Sequence, residues 1–543
     1  MAGQFFIGVD VGTGSARAGV FDANGRLLGS AKQAIAIWHE PGDIVEQSSD
    51  NIWQSVCTAV NGAMALAKVT PSAIGGIGFD ATCSLVVVDA NGKPLPVGPS
   101  EDPERNIIVW MDHRALDQTR RINETHEAVL RYVGGVISPE METPKLLWLK
   151  EHRPGVFASV GHFFDLPDFL SWRATGSLDR SACTVTCKWT YLAHERRWDP
   201  GYFHKIGLGE LADEGFVRIG DTIVDVATPL GSGLTAAAAG ELGLVPGIPV
   251  GASLIDAHAG GVGTVGAANK HGEPAQMTRR MAYVFGTSAC TMASTKEPAF
   301  VPGVWGPYFS AMVPGLWLNE GGQSAAGAAL DHLLTLHPAH GEAAAKAGEA
   351  NLPLLAWLEK QALADTPQPG EVARLAAGLH VVPEFLGNRA PHADPDARAV
   401  IAGLDLEGDL ASVVKLYVAG LCGLAYGARQ IVEAMAVKSI ALEQIIISGG
   451  AAQSPLVRQI IADATGLEVA VADTPEPVLL GAAMLGAVAG KAYPTLGEAM
   501  GGMSALGAVH TPAPGAIGAF HDAKFKVYES LQAAGRQARA LMT

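Results

Sequence analysis

Short apolar runs separated by glycine turns open the chain. Residues 5–9 and 16–21 have the apolar character of buried strands, and residues 12–15 between them form a predicted turn. The Asp-Ala-Asn-Gly sequence at 22–25 is typical of a hairpin, which leads into a third strand at 27–37. The pattern therefore predicts three connected strands at the start of the chain.

Helical spacing of apolar positions appears next and recurs through the rest of the chain. Residues 50–68 carry one apolar face, and Ser49 or Asp50 is the expected N-cap. Further predicted strands are 74–79, 85–88, 444–448 and 467–471, and further predicted helices are 114–133, 144–150, 323–336, 342–364, 410–437, 455–465, 478–488 and 521–541. Residues 498–518 are rich in Gly, Ala and Pro and are predicted to be an irregular connection. The alternation implies an α/β fold whose sheets carry helices on their faces.

The chain is long enough for two large domains. It has 543 residues, whereas a usual domain has about 100–200 residues. Glycine, proline and charged residues separate two apolar runs within 269–280, which makes that segment the predicted boundary. We therefore predict an N-terminal domain over 1–268 and a C-terminal domain over 269–543.

The chain is acidic, with a net charge of −16. Nucleic acid and anionic membrane surfaces are bound through clustered Lys and Arg, so neither is an expected partner. The apolar helical runs at 416–428 and 478–490 are shorter than the ~18–20 residues that a membrane span needs. No secretory signal pattern is visible, and six scattered cysteines are typical of reduced thiols, so we expect a cytoplasmic protein.

Two turns rich in Gly, Thr and Ser are the first sign of chemistry. The first turn and the strand end before it comprise Asp10, Gly12, Thr13, Gly14 and Ser15. Successive backbone N–H groups and hydroxyls suit phosphate oxygens, and the carboxylate suits Mg²⁺. Taken alone, these residues favour a hairpin turn with a side-chain cap. A second turn in the other half, at Gly286, Thr287 and Ser288, changes the balance, because two such loops predict a nucleotide held between two domains.

A third glycine turn joins a strand to a helix at Gly449, Gly450 and Ala451. Its glycines would let a flat adenine or ribose lie against the backbone near a helix N-terminus. A plain connection between a strand and a helix explains the same residues equally well. The sequence has no Gly-x-x-x-x-Gly-Lys-Ser/Thr motif, which argues against a P-loop NTPase.

Asp256 lies between an apolar strand and a helix of small residues. By default an Asp at such a position is a helix N-cap. It can also be a general base that takes a proton from a substrate hydroxyl while a phosphoryl group arrives in line. That role needs Mg²⁺ and backbone donors around the phosphoryl group, which the glycine turns could supply. Both interpretations stay open from the residues alone.

The order of these motifs resembles that of the FGGY carbohydrate kinases. Four motifs carry the resemblance, which covers about residues 5–490. They are Asp-x-Gly-Thr near the N-terminus, Asp-x-x-Ala-Gly at 256, Phe-Gly-Thr-Ser at 285 and Gly-Gly-Ala-x-x-Ser-Pro at 449. The resemblance implies an α/β fold of two actin-like (ribonuclease H-like) ATPase domains, with ATP and sugar in the interdomain cleft. It also implies that Asp256 is the catalytic base and Asp10 the carboxylate associated with Mg²⁺. The nucleotide-binding residues implied in this way are Gly12, Thr13, Gly14, Ser15, Gly286, Thr287, Gly449, Gly450 and Ala451.

Three further segments supply candidate sugar ligands. Asp80 and Ala81 follow a strand, and Lys188 lies among aromatic residues. Glu320 lies at a predicted helix start. Such groups bracket hydroxyls, although Asp80 could also cap a turn, Lys188 lie over a surface Trp189, and Glu320 cap a helix. By similarity to L-ribulokinases, the substrate-binding positions are Ala81, Lys188, Asp256 and Glu320.

These segments most resemble the pentulose kinases, in particular the ribulokinase branch. The implied activity is phosphorylation of ribulose to ribulose 5-phosphate by ATP with Mg²⁺. Kinases for ribitol, xylulose or glycerol are alternatives, and a nucleotide-gated binding protein of the actin and chaperone group is a different class. A catalytically idle sugar sensor ranks last, because Asp10, Asp256 and both loops are present. Ser448 stands where many relatives carry a third glycine, which leaves the nucleotide preference open. A homodimer is common among soluble enzymes of this kind.

Overall fold

Two β-sheets form the frame of the computed structural model, which describes residues 4–269, 276–366 and 368–542. The strand order of the N-terminal sheet is Val250–Ile255, Ile74–Ala81, Phe5–Gly12, Ser15–Asp22 and Leu27–Ala34. The strand order of the C-terminal sheet is Trp305–Phe309, Trp317–Gln323, Ala289–Thr295, Arg280–Phe285, Gln444–Ser448, Glu468–Ala472 and Leu506–His510. In each sheet, parallel strands adjoin an antiparallel hairpin. This repeated order confirms the predicted pair of α/β domains.

Helices and smaller sheets pack around this frame. The α-helices are Ser49–Ala67, Leu116–Asn123, Glu142–His152, Pro154–Ser159, Leu166–Thr175, Ala182–Lys188, Pro200–Ile206, Gly209–Asp213, Ala236–Leu242, Asp256–Val265, Gly327–Thr335, His340–Glu349, Leu354–Asp365, Leu410–Val437, Pro455–Thr465, Pro477–Ala489, Leu496–Met503 and Ala516–Met542. The 3₁₀-helices are Pro71–Ala73, Ala128–Val133, Met277–Arg279, Pro369–Ala376 and Gly450–Gln453. A third sheet contains Trp38–Glu40, Ile44–Gln47, Ile107–Ile108, Leu85–Val88 and His162–Asp165. Two-stranded sheets pair Arg180–Ser181 with Ile223–Val224 and His380–Val382 with Val400–Ala402.

Most predicted elements are confirmed, with differences at their ends. The first helix has Ser48 as its N-cap instead of Ser49 or Asp50, because the Ser48 side chain accepts the N–H of Asn51. The helices predicted at 114–133 and 342–364 are each divided into two shorter elements.

Two predictions about the C-terminal half are wrong. The helix predicted from residue 323 begins only at Gly327, because Trp317–Gln323 is a strand between two others. The predicted irregular connection at 498–518 contains most of a helix and the strand Leu506–His510, which pairs with Glu468–Ala472 at the sheet edge. In both cases long-range pairing outweighs a weak local strand propensity.

Two helices lie between the sheets. Pro477–Ala489 packs on the N-terminal sheet, although it follows the C-terminal strands in sequence. Asp256–Val265 packs against Pro477–Ala489 and against the strand Arg280–Phe285. The predicted boundary between residues 268 and 269 adjoins residues 270–275, which lie outside the described residues, and it stays a prediction.

Glycines make the close approach of Pro477–Ala489 to the N-terminal sheet possible. A β-carbon at three strand glycines would overlap carbonyl oxygens of this helix. The pairs are Gly8 with Leu479, Gly76 with Gly486, and Gly78 with Ala482. Asp10 and Asp80 lie two residues after Gly8 and Gly78 and therefore on the same face of the sheet.

The helix Leu410–Val437 has the length and composition of a membrane span, and 83% of its most apolar window is buried inside the protein. The apolar run at 416–428, which alone is too short for a span, is part of this helix, whose predicted bounds of 410–437 are confirmed. Burial against the C-terminal sheet and its neighbours accounts for the apolar character, as expected of a core helix.

Candidate active site

Three carboxylates lie at the carboxyl ends of neighbouring parallel strands. Asp10 and Asp80 are register partners on adjacent strands. Asp256 directly follows the strand Val250–Ile255, which pairs with the other side of the Asp80 strand. Ligands of open α/β sheets bind at this edge. The topology thus collects residues that are far apart in the sequence.

A cavity of about 370 Å³ opens at this edge and is lined by both halves of the chain. The predicted site residues that line it are Asp10, Gly12, Thr13, Lys188, Asp256, Gly286, Thr287 and Glu320. Asp10, Asp256 and Gly286 therefore surround one crevice, as the kinase interpretation requires.

A second cavity, of about 600 Å³, adjoins the first. Gly286 and Thr287 line both cavities. Gly450 and Ala451 line the second, together with apolar side chains from several helices. A largely apolar cleft with a few polar groups suits an adenosine, and the shared residues let a nucleotide extend from one cavity into the other.

Four predicted residues, Gly14, Ser15, Ala81 and Gly449, all within the described ranges, line neither cavity. Gly449 has a φ of 88°, and a β-carbon there would overlap the Phe285 carbonyl oxygen, so backbone packing already requires glycine. Ala81 is fully buried in its strand, and Ser15 pairs across the hairpin. Their contacts with nucleotide or sugar stay predictions.

Two cationic side chains that line the first cavity lie over one indole ring. Lys188 is 4% exposed, and its Nζ lies 4.9 Å from the ring centre of Trp305. Arg389 covers the same ring at 4.3 Å and donates a hydrogen bond of 2.9 Å to Glu320. The surface interpretation of Lys188 over Trp189 is therefore wrong. The helix-cap interpretation of Glu320 is also wrong, because this residue lies within a strand.

Both candidate sugar ligands keep their charge. Burial acts to raise the pKa of Glu320, but the hydrogen bond from His258 and the charges of Lys188 and Arg389 lower it to about 2. Burial acts to lower the pKa of Lys188, but Cys83 and Glu320 raise it, and the net shift is upward. The pair thus offers one acceptor and one donor for hydroxyl groups.

Asp256 has the proton affinity of a base that works near neutrality. Burial, and then the charge of Asp10, raise the pKa of Asp256 to about 6. Its Oδ1 accepts the N–H of Ala257 at 2.7 Å. Because Ile255 is the N-cap of this helix, Asp256 lies in the first turn and its side chain borders the cavity. A buried carboxylate with a raised pKa beside a cleft is typical of general bases.

Arg17 and Arg389 line the first cavity and belong to none of the sequence motifs. Arg17 forms ion pairs with Asp10 and, at 2.9 Å, with Glu476. Its position opposite Asp10 in the predicted hairpin is a signal from which it could have been found. Arg389 lies in a loop of the C-terminal half without a recognisable motif.

Two ribonuclease H-like domains that enclose a polar cavity beside a larger, more apolar one define an actin-like ATPase fold. Residues 5–263 match the N-terminal domain of the FGGY family of carbohydrate kinases, and residues 281–490 match its C-terminal domain. The chain belongs to the FGGY family of carbohydrate kinases, and it is a phosphotransferase, for which membership of a kinase family implies ATP as the phosphoryl donor.

Relatives and solved structures agree with this assignment. The chain is 45% identical to an FGGY carbohydrate kinase domain-containing protein of Homo sapiens, over 99% of this chain and 98% of that protein. It is 38% identical to a D-ribulokinase of Saccharomyces cerevisiae, over 90% of this chain and 72% of that protein. A crystal structure of xylulose kinase from Rhodospirillum rubrum, 22% identical, has the same fold, with a TM-score of 0.79 over 98% of this chain and 99% of that one.

Proposed function

We propose that this protein transfers the γ-phosphoryl group of ATP to the terminal hydroxyl of ribulose, giving ribulose 5-phosphate. The observation that carries the proposal is a single cavity that Asp256 lines together with the candidate sugar ligands Lys188 and Glu320 and the turn at Gly286. The relationship to a D-ribulokinase of Saccharomyces cerevisiae supports the D isomer.

The nucleotide would occupy both cavities. Adenosine fits the second cavity beside Gly450 and Ala451, and the triphosphate would pass Gly286 and Thr287 into the first. There Thr13 could add a hydroxyl donor from the N-terminal half. Donors from both halves would hold the phosphoryl group in line with the acceptor hydroxyl.

Asp10 borders the first cavity and fits a divalent cation there, with Asp80 buried beside it on the neighbouring strand, where burial and the charge of Asp10 raise the pKa of Asp80. Both carboxylate oxygens of Asp80 are buried without a hydrogen-bond partner in the described part of the chain. No group of three or more His, Cys, Asp or Glu side chains among the described residues could hold a metal ion, which agrees with Mg²⁺ because this ion takes most of its ligands from phosphates and water. When bound, Mg²⁺ would neutralise charge on the transferring phosphoryl group.

Asp256 would accept the proton of the sugar hydroxyl as the oxygen attacks phosphorus. Glu320 would accept a hydrogen bond from another hydroxyl and Lys188 would donate one, which fixes the sugar relative to Asp256. The charges around this end suit a neutral polyol, because the cations Lys188 and Arg389 already face Glu320 and Asp256.

A substrate panel with coupled detection of ADP tests the proposal. The panel contains D-ribulose, L-ribulose, ribitol, D-xylulose and glycerol, and we expect the highest kcat/KM for D-ribulose. A higher kcat/KM for another compound of the panel would make that compound the proposed substrate in place of D-ribulose. ATP turnover that no member changes would favour the nucleotide-gated binding protein instead.

The variant Asp256→Asn tests the base. We expect turnover to fall by about 10²–10⁴-fold, because a positioned general base contributes that much, while calorimetry detects ATP and sugar binding as in the parent. Asp409→Asn is the matched control, since Asp409 caps a helix through Ser412 N–H and lines neither cavity. Full activity in Asp256→Asn would remove the base assignment.

A further inference from the structure

A chain of polar contacts runs beneath the sugar ligands. Cys183 Sγ lies 3.1 Å from Nδ1 of His258, and Nε2 of His258 lies 3.3 Å from Oε2 of Glu320. The other carboxylate oxygen, Oε1, accepts the hydrogen bond from Arg389 at 2.9 Å. Two donors thus hold both oxygens of one carboxylate, which fixes the plane of that group.

This chain of contacts joins the two halves of the protein. Cys183 and His258 belong to the N-terminal half, and Glu320 and Arg389 to the C-terminal half. His258 lies two residues after Asp256 in the first turn of the same helix. The His258–Glu320 contact therefore ties the helix of the base to the strand of a sugar ligand.

Burial separates the members of the chain that can meet substrate from those that cannot. Cys183 and His258 are both 0% exposed and line neither cavity, whereas Glu320 borders the first cavity. His258 therefore lies outside the cavity, and its hydrogen bond acts on the sugar through Glu320, while its charge also acts to lower the pKa of Asp256.

The pKa of His258 agrees with an imidazole that donates hydrogen bonds from both ring nitrogens. Burial acts to lower the pKa of His258, but Cys183 and Glu320 outweigh it and raise the pKa to about 10. Cys183 also accepts a long contact from the N–H of Ile255 at 3.4 Å, which favours sulfur as an acceptor for Nδ1–H.

We propose that His258, held from behind by Cys183, is a positioning residue that orients Glu320 for the hydroxyls of the sugar. The inference rests on the proposed function, because it assigns Glu320 to the sugar. The plainer interpretation is a core histidine with a structural role alone, such as His521, which is also 0% exposed and whose Nδ1 lies 2.9 Å from the Tyr426 hydroxyl.

Two substitutions separate these interpretations by geometry. In His258→Gln the amide nitrogen can reach the position of Nε2 and still donate to Glu320. In His258→Asn it reaches only the position of Nδ1, so the bond to Glu320 is lost. We expect His258→Asn to raise the sugar KM by about 10–100-fold, the effect of one hydrogen bond to a charged group, and to leave the ATP KM within about twofold. His258→Gln should restore most of the sugar affinity.

The matched control is His521→Asn, which alters an equally buried histidine and should lower the thermal midpoint without changing the sugar KM. An unchanged sugar KM in folded His258→Asn would overturn the inference, and so would equal impairment in His258→Gln. If His258→Asn does not fold, Cys183→Val takes its place. It removes the support behind the imidazole, and we expect the sugar KM to rise by about 2–10-fold; no rise would overturn the inference.

A spectroscopic measurement distinguishes failure of this inference from failure of the proposed function. In protein labelled with ¹⁵N-histidine, Glu320→Gln should shift the Nε2 resonance of His258 and leave that of His521 in place. If the resonance shifts as expected but the protein turns over no polyol, the proposed function is rejected and the His258–Glu320 contact is supported. An unmoved His258 resonance would reject the His258–Glu320 contact, whether or not the protein phosphorylates a polyol.

Discussion

Single side chains in the cleft owe their chemistry to burial and to their charged neighbours. Asp256 and Glu320 are both carboxyl groups of the same cavity, yet their pKa values are shifted in opposite directions, to about 6 and about 2. Asp256 lies near another carboxylate, whereas Glu320 faces His258, Lys188 and Arg389. The first can take up a proton near neutral pH, and the second stays an acceptor of hydrogen bonds.

The pH dependence of kcat/KM should carry the titration of Asp256. A base acts only when deprotonated, so the rate should fall as the pH drops through the pKa of this group. Because bound Mg²⁺ would offset the charge of Asp10, we expect the midpoint at or below about pH 6. Steady-state rates from pH 5 to 8 at constant ionic strength measure it. A rate that rises as the pH falls would contradict the assignment.

How well single residues could be predicted depends on their distance from a motif. Asp10, Asp256 and Gly286 follow strands and turns that local sequence patterns define, and they border one cavity. Arg389 reaches the same cavity from a loop and covers the ring of Trp305, which lies on an edge strand, and only the packed fold brings these two residues together.

At the scale of secondary-structure elements, some glycines are needed for close packing between a strand and a helix and not for a turn. Gly76 and Gly78 lie within a fully buried strand, where the sequence pattern indicates only an apolar run. The close passage of Pro477–Ala489 explains them, and this contact joins segments from opposite ends of the chain. Local periodicity predicts Leu410–Val437 and Pro455–Thr465 well, because a helix contains its own hydrogen bonds. It fails for Leu506–His510, whose partner strand is remote in sequence.

Gly78→Ala should destabilise the fold. The new methyl group would overlap the Ala482 carbonyl oxygen, and a backbone atom cannot move aside cheaply. We expect a loss of about 1–3 kcal/mol, typical of overpacking, seen as a lower midpoint of thermal unfolding. Gly507→Ala is the control, because a β-carbon there meets Val471 at an ordinary 3.5 Å. Equal midpoints for the two variants would contradict the packing argument.

The molecule as a whole contains two adjoining cavities that meet at Gly286 and Thr287, and our proposal assigns the sugar to the first and adenosine to the second. Each cavity has its own set of lining residues, apart from these two. A change deep in the second cavity should therefore alter the nucleotide affinity without altering the sugar pocket.

Ala356→Trp tests this separation. Ala356 lines the second cavity, and an indole there would occupy space that we assign to adenosine. We expect the ATP KM to rise by about tenfold or more, equivalent to about 1.4 kcal/mol, and the sugar KM at saturating ATP to stay within about twofold. Ala364→Trp, on the same helix and absent from the second cavity's lining, is the control. A matching rise in the sugar KM would contradict the separation.

The packing of Pro477–Ala489 on the N-terminal sheet has a consequence for the nascent chain. On the ribosome, the strands of the N-terminal sheet emerge before the helix that covers one of their faces, Pro477–Ala489. That face of the N-terminal sheet therefore stays exposed while the second half is translated. During this period a chaperone would bind its apolar surface. A stop codon placed before residue 477 should leave an aggregating fragment instead of a free-standing domain.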